Sequence, residues 1–132
     1  MKVNLVSLFS YFILSLLLIG CSTTVQSNFY QQESPLTIND KVAFLDVNHR
    51  VPENAKKLGE AKFGDSGFST DCDFNSILIK AREIGRKNGA NIVKIVECQK
   101  TDLWFSCYRM KIEFYSYSGD VKVLPQYQLQ IN

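Results

Sequence analysis

Phe74-Asn75-Ser76-Ile77-Leu78-Ile79-Lys80-Ala81-Arg82-Glu83-Ile84-Gly85-Arg86-Lys87 is the stretch that decides the fold. Phe74, Ile77, Leu78, Ala81 and Ile84 recur at steps of three and four, while Lys80, Arg82, Glu83, Arg86 and Lys87 take the other side. That spacing predicts a helix with one face on a core. Asp71 or Asp73 can cap its start, where free backbone amides need an acceptor. Arg86 and Lys87 suit the negative end of the helix dipole, and Asn88-Gly89 supplies a left-handed stop. Mixed charge and modest apolar width do not fit a helix lying on a membrane surface.

Strand patterns flank this one clear helix. Val42 to Val47 is a short apolar run, followed by a loop over Asn48 to Ala55 that carries Pro52. Lys57 to Phe63, with Leu58, Ala61 and Phe63 apolar, predicts a second strand, and the turn-rich stretch 64–72 predicts a loop. Beyond the helix, Asn91 to Cys98 is β-branched and apolar. Tyr108, Met110, Ile112 and Phe114 then alternate with Arg109, Lys111, Glu113 and Tyr115 in a period of two, one face to a core and one to solvent. One helix and about four strands imply a small α+β domain: a mostly antiparallel sheet with the helix packed on one face. In the tail, edge strands are expected around Val121 to Leu124 and near Tyr127 to Ile131, interrupted by Pro125.

The N-terminus has a different character. Lys2 precedes an uncharged run from Leu5 to Ile19 that closes on Gly20, which has the length and flanks of a secretory signal peptide rather than of a membrane-spanning helix. Leu18-Ile19-Gly20-Cys21 resembles the lipobox of bacterial lipoproteins. The resemblance implies cleavage before Cys21, a diacylglyceryl group on its sulfur and an acyl chain on its new amine. Each buried methylene contributes about 0.8 kcal/mol, so three chains hold a protein in a leaflet essentially permanently. Ser22, with no Asp at that position, resembles the pattern sorted to the outer membrane. The expected organisation is therefore a signal peptide over 1–20, the lipidated Cys and a flexible tether over 21–39, and a single domain over 40–132 facing the periplasm. The polar segment 22–39 carries one charge and no sustained period, and as a coil its eighteen residues would span about 25 Å.

Removing residues 1–20 leaves 14 basic against 13 acidic residues. From so balanced a charge no partner can be inferred: a strongly basic patch would argue for nucleic acid or anionic lipid, and none stands in the chain, since Lys56-Lys57 and Arg86-Lys87 read as solvated pairs. No phosphate loop, paired catalytic carboxylates or serine elbow stands in the chain, so neither a catalytic residue nor a cofactor is expected. The only histidine, His49, lies beside Arg50 in a loop. Joined to cysteines it is the alternative reading, a metal-binding envelope lipoprotein, although no local Cys-x-x-Cys spacing supports it. After Cys21, three thiols remain for an oxidising compartment: Cys72, Cys98 and Cys107. Three single bridges are open to them. Cys98 and Cys107 can face each other across a hairpin, whereas Cys72 with Cys107 would staple the pre-helix loop to the sheet. Trp104 and Phe105, between the last two strands, are candidates for a partner contact or for covering a disulfide.

The order Leu58-Gly59-Glu60, Gly64-Asp65, Cys72, Ala81-Arg82, Ala90-Asn91, Glu97-Cys98 and Cys107-Tyr108-Arg109 is similar to the periplasmic domain of the RcsF family. These are outer-membrane lipoproteins that sense envelope stress for a phosphorelay, and the likeness covers roughly residues 57–115. It implies a small α+β fold, signal transduction through an envelope protein partner, and a disulfide between Cys72 and Cys107. The family's partner for Cys98 falls where this chain has Glu113, which leaves Cys98 a free, buried thiol. The family's linker is long, Pro-rich and basic, whereas one Pro and no basic residue lie between Cys21 and Asp40 here.

Overall fold

The computed structural model describes residues 25–64, 72–100 and 107–129. Five strands and one helix follow in order: β1 Val25–Phe29, β2 Ala43–Leu45, β3 Lys56–Phe63, α1 Phe74–Lys87, β4 Ile92–Lys100 and β5 Tyr108–Ser116, then a short 3-10 turn at Val121–Val123. The strands form one sheet in the order β1-β3-β5-β4-β2. All pairings are antiparallel except β2 with β4, so the protein is α+β with a mostly antiparallel sheet and one helix on it.

The helix forms where the apolar spacing placed it. Asp73 is its N-cap, with the side chain accepting from the Ser76 amide at 3.0 Å, and Gly89 at φ +81° ends it beside the Asn88 C-cap. Ile77, Leu78, Ala81 and Gly85 are buried against the sheet. Beneath them lie Leu58, Ala61 and Phe63 of β3, Val93 and Ile95 of β4, and Met110, Ile112 and Phe114 of β5. The period of two in β5 thus sorts its side chains as expected, with Met110, Ile112 and Phe114 inward. A smaller cluster of Ala43, Leu45, Ile92 and Val121 lies apart from this core, and Tyr115, Tyr117 and Leu124 pack on it.

Residues 25–39 are not a tether. Val25–Phe29 adds an edge strand to β3, in register from Val25 opposite Phe63 to Phe29 opposite Gly59. The following segment then wraps the C-terminal end of α1. The Tyr30 amide donates to Leu58 O at 2.9 Å, Glu33 to Asn88 O at 3.1 Å and Leu36 to Arg86 O at 2.9 Å. The Arg86 guanidinium returns the contact, donating to Ile38 O at 3.2 Å and Asp40 O at 3.0 Å. The folded domain therefore starts at or before Val25 rather than at Asp40. Polar side chains conceal this strand because an edge strand is held by backbone bonds, and only Val25 and Phe29 of its five residues are half-buried. Phe29 stacks on Phe114 with ring centroids 5.1 Å apart.

The tail also differs from expectation. Val121–Val123 is a 3-10 turn rather than an edge strand, because the Asp120 carboxylate accepts the Lys122 amide at 2.9 Å and curls the backbone. Tyr127 makes a single antiparallel bridge to Phe44, its amide 2.7 Å from Phe44 O. Residues 130–132 lie outside the described residues.

Gly59 is the position on which the edge strand depends. A Cβ there would stand 2.5 Å from Asn28 O and 2.7 Å from Phe29 Cδ1, too close for either to stay. Gly59→Ala is expected to displace β1 and to destabilise the domain by about 1–3 kcal/mol. Limited proteolysis should then cut within 25–31 while leaving β3, β4 and β5 intact. Cleavage of that segment at the wild-type rate would show that the strand is not held this way.

Candidate functional site

Two features of the described residues have chemical character: the disulfide end of the sheet, and the sheet face that α1 leaves uncovered. Cys72 directly precedes the helix cap and Cys107 directly precedes β5. They form a disulfide with Cα atoms 4.6 Å apart, and the Tyr108 amide donates to Cys72 O at 2.9 Å beside it. The bridge thus ties the start of the helix to the start of the central strand. Phe74 packs there edge-on against Tyr108 and Tyr127, with centroids 5.7 and 5.1 Å away. The sequence pattern assigned Phe74 and Tyr108 to a core and did not single out this aromatic group.

Cys98 is free and half-buried in β4, opposite Met110. Burial pushes its thiol up, and the Asp46 carboxylate adds to the effect, which holds it away from the thiolate form. His49 is occupied locally: its Nδ1 accepts the Asp46 amide at 3.0 Å. The structure does not bring His49 and the cysteines together as a ligand set, since Cys72 and Cys107 are bonded to each other. Among the described residues no three His, Cys, Asp or Glu side chains gather as a metal site. Cys21, Trp104 and Phe105 lie outside the described residues.

The face of the sheet opposite α1 is polar from β1 to β4 except at one end, where Ile92 and Tyr115 belong to the smaller cluster with Ala43, Leu45 and Val121. Near its middle the Lys57 ammonium donates to Glu113 at 2.7 Å and to Glu60 at 3.5 Å, and the Tyr115 hydroxyl donates to Glu113 at 2.6 Å. The bond to Glu113 raises Lys57 above its ordinary value. Burial pushes the Glu113 carboxyl up, but Lys57, Tyr115 and Lys111 together hold it below the usual 4.5. Burial and the neighbouring carboxylate push the Tyr115 phenol up to about 12. Lys94, also on this face, donates to the carbonyls of Asp46, Val47 and His49 at 2.5, 2.9 and 2.6 Å. Burial pulls its ammonium below the ordinary 10.5, against the attraction of Asp46 and Glu113. Lys94 therefore fastens the loop after β2 to the sheet, a role its place in an apolar strand did not signal.

Towards the disulfide end the same face opens into a depression of about 290 Å³ lined by Lys62, Glu97, Gln99, Arg109 and Lys111 with Phe63 and Met110 at its edge. Lys62 stands directly opposite Lys111 across the β3–β5 pair, and Glu97 opposite Lys111 across β4–β5. Like charges facing each other across a ladder weaken it, and opposite charges strengthen it, so Lys111 is opposed by Lys62 on one side and matched by Glu97 on the other. Three cations and one carboxylate on an open surface can hold an anionic group; the register that gathers them emerges only from the pairing of β3, β4 and β5.

With this geometry in view, comparison with protein-family models, curated proteins and solved structures finds no match to the chain.

The Lys57–Glu113 pair gives a pH dependence of known sign. Glu113 is lowered in the folded state, so its contribution is present above pH 4.5 and is lost as pH falls through the folded value. For this partly exposed pair the contribution is about 1 kcal/mol or less. Thermal melts of wild type and Glu113→Gln should differ by a constant margin near neutral pH and converge below pH 4.5. A margin that widens on acidification would contradict the assignment.

Proposed function

We propose that the chain is a lipid-anchored protein of the bacterial cell envelope, a non-catalytic sensing or protein-interaction module similar to the RcsF-type stress-sensor lipoproteins. In this reading residues 1–20 are removed, Cys21 carries the lipid, and the domain faces the periplasm from the outer membrane. The observation that carries the reading is the Cys72–Cys107 disulfide. Such bonds persist in oxidising compartments, which agrees with an exported chain, and its pairing is the one that the family resemblance implies. Trp104 and Phe105 are the proposed contact for an envelope protein partner.

The decisive test is intact-mass analysis of the mature chain from the membrane fraction. It should report a chain beginning at Cys21 with diacylglyceryl and acyl additions and one disulfide. Denatured without reductant, that chain should show one reactive thiol, Cys98. In-cell crosslinking should recover an envelope protein, and replacement of Trp104 and Phe105 by Ala should lose it. An unacylated chain recovered from cytosol with all four thiols reactive would refute the anchor and leave the cysteines free as metal ligands.

A further inference from the structure

The fold limits how far the domain can stand from such an anchor. Three residues, 22–24, separate Cys21 from Val25, the first residue of β1. Four fully extended peptide steps reach about 14 Å at most, and part of that reach is spent inside the headgroup layer. Val25 pairs with Phe63 at the end of β3, and Phe63 with Met110 near the start of β5. The anchor therefore enters the domain at the same end of the sheet as the Cys72–Cys107 disulfide.

Resting on the lipid-anchor reading above, we propose that this end of the sheet is held on the bilayer surface, with Lys62 and Lys111 meeting the phosphates of lipid headgroups. Lys62 lies opposite Gln26, one residue in from Val25, and it shares its depression with Arg109, Lys111 and the single carboxylate Glu97. Lys62 is exposed and Lys111 half-buried, and lysine heads suit headgroup phosphates, each contributing about 1 kcal/mol near an anionic membrane. The opposite end of the sheet, where Lys56 begins β3, lies about 20 Å further along the strands, beyond the span of the leash. Lys41 before β2 and Lys87 at the end of α1 belong to that far end.

Acylation of lysines by a soluble amine reagent tests this residue by residue. The mature lipidated chain would be reconstituted into vesicles of phosphatidylethanolamine and phosphatidylglycerol, without any other protein. Relative to a Cys21→Ser chain in the same buffer, Lys62 and Lys111 should react several-fold more slowly, and Lys41, Lys56 and Lys87 at unchanged rates. Insertion of twelve Gly and Ser residues between Thr24 and Val25 should restore the rates of Lys62 and Lys111. Equal rates at both ends, protection of Lys56 and Lys87 instead, or protection that survives the insertion would each overturn the proposal. The intact mass of the same sample separates the two failures. Acyl chains present with uniform labelling refute the orientation alone; acyl chains absent refute the anchor itself.

Discussion

Burial of the inner face of β5 is the constraint on which the rest of the structure depends. Met110, Ile112 and Phe114 lie at the centre of a five-strand order, with β3 on one side and β4 on the other. No other strand touches both halves of the sheet. Phe114 meets α1 at Gly85, where a Cβ would stand 3.2 Å from its ring, and meets β1 through Phe29. A single aromatic side chain thus joins the helix, the central strand and the outermost edge. Loss of a buried Phe of this kind costs about 3–5 kcal/mol, a large share of what a small domain has.

The two faces of the sheet divide the labour. Under the helix the packing is apolar and closed, and among the described residues no polar side chain is fully buried. On the opposite face, charges are arranged in sequence along the strands. Lys57 is satisfied by Glu113 and Glu60, and Lys94 by three loop carbonyls. These groups fasten structure. Nearer the disulfide, Lys111 faces Lys62 on one side and Glu97 on the other.

Much of this was legible in the residues. The steps of three and four from Phe74 to Ile84 and the alternation from Tyr108 to Tyr115 encode burial directly, because side chains carry the signal in both. β1 was not legible, since Gln26, Ser27 and Asn28 face solvent and the strand is held by main-chain bonds that any residue can make. The clamp of Arg86 on the carbonyls of Ile38 and Asp40 was hidden for a related reason: its partners are backbone atoms 48 and 46 residues away. The disulfide pairing came from the family resemblance, because spacing alone left three bridges open. The cationic depression depends on cross-strand register, which a periodic pattern does not specify.

What β1 changes is the mechanical relation between the proposed lipid anchor and the domain. A free tether would let the domain sample a volume around the proposed anchor. A docked strand makes the first 15 residues described, 25–39, part of the folded body. The most direct measurement is amide hydrogen exchange of the mature protein, followed at Val25–Phe29 against β3 and β5. Slowed exchange in β1, weaker than in β5 but well below the rate of an unstructured chain, is the predicted result. Exchange of those five amides at the free-chain rate would contradict it.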